Sequence, residues 1–413
     1  MAVEQKGSNQ RLVKVTNQHL IIKEVRARKQ VSRSELAKIL KLSNPSVSKH
    51  VDDLIMKGLL VETGSMVTDV GRRPIMLEFN GNHGCVAVID LSSNDARICV
   101  ADLLGNKLKY ARVDGGQIIT SENIDHIIAT LHEMLMGLQG QCGELLGVCI
   151  GAPGVIDPET GRIHWSARIE NYGEIDLRER FEKAFKTSVV VKNDVNLAVV
   201  GERIFGAGGG LESVMYLSID AGIGLSAIIG GKLYEGIRGF ACDLGVLLDS
   251  DDEILDLGND GRDYMKHVLE TQINSYSLVN KVRDMLTQGR ESVLREWITD
   301  TEELTFDDIA RAYGMSDPMT VQVVRRYAKK IAILCKNLSS LFDIELIILG
   351  GIVAKLGKAF LGELLGFYSM LPGYGGSEIK LSKLIDSAVV FGGIDTAIQY
   401  AIDNIINDGA EQL

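Results

Sequence analysis

Hydrophobic positions along the first 80 residues fall into a short series of helical stripes. Leu12, Val15, Leu20, Ile21 and Val25 predict a helix over 12–28. A second, shorter helix is expected up to Leu40, capped by Ser32 or Ser34, with Leu36, Ala37 and Leu40 facing inward. Lys41-Leu42-Ser43 forms the turn that follows. Asn44 suits the N-cap of a third helix and Pro45 its first position. That helix is expected to run to about Lys57, stop at Gly58, and bury Val47, Val51, Leu54 and Ile55. Two strand-like runs, 59–63 and 75–79, flank Gly64-Ser65 and the turn Gly71-Arg72-Arg73-Pro74. Helix, helix, turn, helix and hairpin together describe a winged helix-turn-helix.

The texture changes at Gly84. Runs 85–91, 98–103 and 108–113 are short and β-rich, separated by the turn signals of 92–95 and Gly105-Asn106. A helix is expected over 121–138, then a strand over 146–150 ending in Gly151-Ala152-Pro153-Gly154. Strands and helices alternate to the end, which implies an α/β body. Residues 250–330 read as more helical and polar. No short internal repeat and no low-complexity tract stands out.

Charge sharpens this division. The chain has 413 residues and a net charge of −11, yet residues 1–80 carry 14 basic and 8 acidic residues. The head is therefore +6 and the remainder −17. A basic head on an acidic body is the footprint of a nucleic-acid module on a larger carrier. The six cysteines form no C-x-x-C pair and read as free thiols of a reducing compartment. The sequence shows no signal-peptide pattern, and no apolar run approaches the ~20 residues of a membrane span. A cytoplasmic protein with no membrane partner is expected.

In a helix-turn-helix the second helix of the motif meets base edges with its first turns. Here it offers Asn44, Ser46, Ser48, Lys49 and His50 away from its apolar stripe. Arg72 and Arg73 stand where a wing reaches a minor groove. A generic solvated helix face and an ordinary basic turn are the plainer alternatives. Duplex DNA, read by a homodimer or higher homo-oligomer, is the expected partner.

Several stretches, taken in order, form a series that is familiar as a whole. They are Ser32-Arg33-Ser34-Glu35-Leu36-Ala37, Ser46-Val47-Ser48-Lys49-His50-Val51 and Gly71-Arg72-Arg73-Pro74 in the head. In the body they are Gly151-Ala152-Pro153-Gly154-Val155-Ile156-Asp157, Val191-Lys192-Asn193-Asp194-Val195-Asn196, Gly201-Glu202, and Gly230-Gly231-Lys232-Leu233-Tyr234-Glu235-Gly236 with Gly239-Phe240-Ala241. Leu349-Gly350-Gly351 and Phe391-Gly392-Gly393 complete the series. This ordered series resembles the ROK family (repressors, open reading frames, kinases) over nearly the whole chain. It implies a two-lobed, actin-like, ribonuclease-H-like body behind the winged head. The expected division is a DNA-binding domain at 1–80, one lobe at 81–195 with a C-terminal helix over 388–413 returning to it, and a second lobe at 196–387.

Departures from the family pattern carry the functional expectation. Kinase members have Asp-x-Gly-Gly-Thr where this chain has Asp90-Leu91-Ser92-Ser93-Asn94, so side chains crowd a loop that needs bare amides. The second phosphate loop reads Asp220-Ala221-Gly222-Ile223-Gly224 and places a carboxylate near a polyanion. Phosphoryl transfer depends on positioning and charge neutralisation, so no catalytic residue is expected. The family's zinc site is also broken: Val246 stands at the histidine position, and Cys242 and His267 are isolated. No metal and no cofactor are expected.

The resemblance does retain a sugar site. It assigns Asn193, Asp194, Asp243 and Glu270 to a small neutral sugar effector, with Asp243 one methylene shorter than the family's glutamate. Xylose, glucose and an acetylated hexosamine are the ligands the family suggests. For Asn193 and Asp194 a helix N-cap is an equally simple role, and for Glu270 an exposed helix carboxylate. The expected function is a sugar-responsive, catalytically inactive repressor of carbohydrate-metabolism genes. An active sugar kinase, or a sugar-blind regulator whose body serves dimerisation or docking, are the alternatives.

Overall fold

The computed structural model describes residues 5–65, 75–245, 247, 269–373 and 375–408. The head comprises α1 (Gln5–Arg28), β1 (Val31–Ser32), α2 (Arg33–Leu40), α3 (Asn44–Met56), β2 (Leu60–Ser65) and β3 (Ile75–Phe79), with β3 central in a three-stranded sheet. Ser32 caps α2: its side chain accepts from the amide of Glu35, whose carboxylate returns to the Ser32 amide at 2.8 Å. This reciprocal box settles the choice between Ser32 and Ser34. Helix α3 is capped by Ser43, not Asn44, because the Ser43 hydroxyl accepts the Ser46 amide at 3.3 Å. Asn44 is then the first helical residue.

Val47, Val51 and Leu54 are fully buried as expected, together with Ile21, Val25 and Leu36. Leu12 and Leu20 are not: they are 64% and 40% exposed. The inward face of α1 is Gln18, Ile21, Ile22 and Val25, spaced three, one and three apart. At 3.6 residues per turn Leu20 lies a sharp rotation away from Ile21, so the predicted stripe mixed two faces.

The body begins with β4 (Gly84–Asp90), β5 (Asp95–Asp102), β6 (Lys107–Asp114), α4 (Ser121–Met136) and β7 (Glu144–Ala152). It continues through β8 (Val155–Ile156), β9 (Ile163–Trp165), α5 (Leu177–Phe185), β10 (Val189–Asn193) and α6 (Asp194–Phe205). Next come β11 (Val214–Ile219), β12 (Ile223–Ile229), β13 (Lys232–Leu233), α7 (Leu269–Ile273), α8 (Ser275–Thr287), α9 (Phe306–Gly314) and α10 (Pro318–Phe342). The last elements are β14 (Leu346–Gly350), α11 (Gly357–Met370), β15 (Glu378–Leu381) and α12 (Ala388–Asp408).

Two five-stranded sheets result, ordered β10-β7-β4-β5-β6 and β13-β12-β11-β14-β15. Each is an antiparallel three-strand meander extended by two parallel strands. The two lobes therefore share one topology although no sequence repeat announces it.

Helices α6 and α12 lie between the sheets and cross at glycines. A Cβ on Gly392 would stand 1.8 Å from the Leu197 carbonyl, and one on Gly201 would stand 2.2 Å from the Ala388 carbonyl. Any side chain there would force the helices apart. The same hydrophobic cluster runs on from both sheets through α6 and α12 into the head. Polar contacts reinforce that docking. Lys57 Nζ donates to the Ile405 and Ile406 carbonyls at 2.8 and 2.7 Å, and His19 meets Asp403 at 3.4 Å. Half-buried Arg26 faces Asp395 across the same seam.

Candidate ligand cleft and DNA-reading face

On α3, Asn44 and Lys49 are exposed and Ser46 and Ser48 half-buried. His50 departs from expectation. It is only 9% exposed and lies on the inner side with Val47 and Val51, its Nε2 3.5 Å from Asn17 Nδ2 of α1. Position 50 falls three residues after Val47, which turns it toward α1 rather than toward a groove. Burial, then the charge of Lys14, pushes its pKa down. Arg33 is committed to the protein, pairing with Asp52 at 2.7 Å and Glu62 at 2.8 Å. Arg72 and Arg73 lie outside the described residues, as do Val246 and His267.

The candidate cleft lies at the carboxyl ends of the parallel strands, where α/β sheets bind ligands. Asp90 ends β4, Asn193 ends β10 and Asp220 follows β11. Asn193 caps α6: its Oδ1 accepts the Asn196 amide at 3.0 Å and its Nδ2 donates to the Gly154 carbonyl at 2.9 Å. Asp194 Oδ1 accepts the Val195 amide at 2.9 Å. Its carboxyl is pushed up to about 7, first by burial and then by the charge of Asp90, against the opposing pull of the Val195 amide and Arg168. Asp90 itself is fully buried and paired with Arg97 at 2.8 Å, while its other oxygen accepts the Ser92 amide at 2.9 Å.

Asp220 comes from the other five-stranded sheet, just after β11, and is exposed. Its carboxylate accepts the Ile352 amide at 2.8 Å and lies 3.3 Å from the Ser218 hydroxyl, with its pKa raised by desolvation. The acidic side chain thus satisfies the turn after Gly350-Gly351 from within the chain. Glu270 accepts the Ile223 amide at 3.0 Å, so it is not a free helix carboxylate. Burial pushes it up, and Asp243 adds to that rise. Asp243 is exposed, its Oδ1 accepting the Gly245 amide at 3.0 Å. Loop 220–224 joins the two predicted pairs: Asp220 bears on Asp194, and Ile223 binds Glu270.

Two groups in the cleft escaped sequence reasoning. Lys192 bridges to Glu235 at 2.9 Å and ties the end of β10 to the segment after β13. Arg168 binds the loop after β4 through its carbonyls. Lys192 stands beside Asn193 at a strand end, which is a local signal legible in the sequence. Arg168 offered no local signal, since its partners lie 51–77 residues away in the chain. All six cysteines are unpaired, and among the described residues no helix is long and apolar enough to cross a membrane.

The ROK family profile matches residues 86–392. The chain is 28% identical over 397 residues to the xylose repressor of Caldicellulosiruptor bescii, covering 94% of this chain and 97% of that protein. A glucokinase of Halalkalibacterium halodurans is 27% identical over 285 residues, covering 68% of this chain and 83% of that one. The solved structure of a ROK family transcriptional regulator, a homolog of the E. coli MLC protein, superposes with a TM-score of 0.81 at 21% identity, covering 95% of this chain and 98% of that one.

Proposed function

Because this chain belongs to the ROK family, we propose that it is a sequence-specific, DNA-binding repressor of carbohydrate-metabolism genes whose body senses a small neutral sugar and transfers no phosphate. The observation that carries this reading is the end-to-end match with a xylose repressor, head and body together. The glucokinase match covers a smaller share of the chain. In this reading Asn44, Ser46, Ser48 and Lys49 face the major groove, with Arg72 and Arg73 on the wing. His50 supports α3 from behind. A homodimer in the cytoplasm presents two heads to a two-fold operator, with half-sites about 34–36 Å apart or a multiple of that.

Asp194, Asp243 and Glu270 supply carboxyl groups that pair with sugar hydroxyls, and Asn193 holds the start of α6 against the Gly154 loop. Several acidic groups repel a phosphorylated sugar, which favours a neutral one. The Ser92 amide is spent on Asp90, and Asp220 fills the turn that a phosphate would use, so a nucleotide finds neither loop open. A ligand that prefers one lobe arrangement shifts the heads by no more than that preference in free energy.

The test pairs calorimetry on a panel of monosaccharides with operator binding, in wild type and Asp194→Ala. Sugar binding that changes operator affinity and is lost in the variant is expected. Exposed Asp243 and the internally satisfied Asn193 favour a second reading, a sugar-blind regulator, which a wholly negative panel would establish. A coupled ADP-release assay tests the kinase reading, and turnover of about 1 per second or more would revive it.

A further inference from the structure

We propose that Arg168 is the positioning residue of the cleft: it fastens the loop after β4 with carbonyls turned toward its guanidinium, and it sets a fixed cation beside Asp194. The proposal deepens the sugar-sensor reading and rests on it for its purpose, though not for its test.

An arginine has five N–H donors, and here all five are engaged. Nη1 donates to the Leu91 and Ser92 carbonyls at 3.1 and 2.7 Å. Nη2 donates to Asn94 Oδ1 at 3.4 Å and the Gly116 carbonyl at 3.2 Å, and Nε to the Gln117 carbonyl at 3.3 Å. One planar fork thus joins two separate turns, 91–94 and 116–117. A loop that cradles phosphate offers amides. This loop offers successive carbonyls to a cation, and the Ser92 amide is already taken by Asp90. Its polarity is inverted.

Arg168 is itself held from behind. The Ser166 hydroxyl accepts the Arg168 and Ile169 amides at 3.2 and 3.3 Å and donates to the Pro153 carbonyl at 2.8 Å. The neighbouring Gly154 carbonyl accepts from Asn193. The arginine therefore shares a support with the start of α6, and its position relative to Asp194 is fixed. The groups that bear on Asp194 are Asp90 from β4, Asp220 after β11, the Val195 amide of α6, and Arg168. Asp90 already has Arg97, so Arg168 is the cation that balances Asp194. With every donor spent, it steadies that carboxyl electrostatically without offering a fork to an incoming phosphate. Lysine could keep the charge but has no plane and only three donors.

The experiment compares wild type, Arg168→Met and Arg168→Lys without ligand. Amide exchange is followed in peptides covering 91–95 and 115–118, and the Asp194 carboxyl is titrated by carbon-13 NMR. In Arg168→Met, exchange should rise about tenfold in both peptides, and the Asp194 midpoint should move up by about one pH unit or more. In Arg168→Lys, exchange should rise likewise while the midpoint stays within about half a unit of wild type. Unchanged exchange or an unmoved midpoint in folded Arg168→Met overturns the proposal. If that variant does not fold, intact loop protection in Arg168→Lys overturns it instead. MgADP serves as the phosphate probe on wild type, and a dissociation constant below about 100 µM would show that the loop is not closed. Absence of sugar binding alongside the expected shifts would count against the sensor reading alone.

Discussion

The head and the cleft spend their charged residues in opposite ways. On the head, Lys49 stands in solvent and Arg33 is paired at the surface. In the cleft, Asp90 is fully buried and Asp194 half-buried, Asp220 is tied to the Ile352 amide at the surface, and the surroundings raise the pKa values of the latter two. Exposed cations act at a distance and are screened by salt, which suits a polyanion. Carboxyls held in place by neighbouring amides act by shape and protonation, which suits a neutral ligand with paired donors and acceptors. The proposed repressor, which would first find DNA and then report on a sugar, needs both kinds of electrostatics, kept apart.

The strongest way to break that contrast is on the head. The triple change Lys49→Ala, Arg72→Ala and Arg73→Ala should weaken operator binding by at least about tenfold. Loss of up to three phosphate contacts should flatten the slope of log affinity against log salt by about 2–3. An unchanged slope across a salt series would remove these residues from the interface.

The cleft half of the comparison is sharpened by pH. Asp194 has an ordinary value of 3.8 and sits at about 7 in the folded protein. A raised carboxyl pKa means the folded state prefers the protonated form. Its stabilising contribution is complete below 3.8 and is lost as pH rises to about 7. Asp194→Asn, which is neutral throughout, should therefore be more stable than wild type at pH 8, by about 1–2 kcal/mol once solvent access is allowed for. The melting temperatures of the two should converge at pH 4. A constant gap across that range would mean Asp194 is not the titrating group.

What the sequence disclosed follows the same division. The stripes of α2 and α3 are local, so helix order and the Val47-Val51-Leu54 face could be read directly, while the caps could be read only to within a residue or two: Ser32 is one of two candidates, and Ser43 rather than Asn44 caps α3. The fold of the body could be read because glycine turns and strand ends recur in a known order. Three features could not. The facing of α1 depends on where α3 and α12 lie, so Leu12 and Leu20 were placed inside. The shared topology of the two sheets is a matter of strand order, which no residue pattern displays. Arg168 gains its role from acceptors on two distant turns. Local chemistry is written in neighbouring residues, whereas the cleft is assembled by the fold.

The seam between head and cleft supplies a smaller effect. Lys57 Nζ meets the last carbonyls of α12, a favourable place for a cation. Lys57→Ala should cost about 1 kcal/mol and speed amide exchange near the end of α12. Because one hydrophobic cluster still joins head and body, the head should stay docked. Separate melting of the two parts in this variant would show that the polar contacts, not the shared core, hold them together.

The smallest expected effect on DNA binding belongs to His50, and it bears on the comparison most directly, because this residue sits on the head but is buried like Asp90 of the cleft. Its Nε2 lies beside Asn17, and its Nδ1 has no hydrogen-bond partner among the described residues. Burial and Lys14 lower its pKa, so folding prefers the neutral ring. That contribution is complete above the ordinary histidine range near 6.5 and declines as pH falls below it. His50→Gln keeps a polar group of similar reach and cannot be protonated. It should change operator affinity and sequence preference by less than about threefold at pH 7.5, since the side chain does not face the groove. It should also remove part of the head's loss of stability between pH 6.5 and 5. The measurements are a base-by-base operator competition and melting curves across that range. A change of preferred base with unchanged acid sensitivity would turn His50 back toward the DNA.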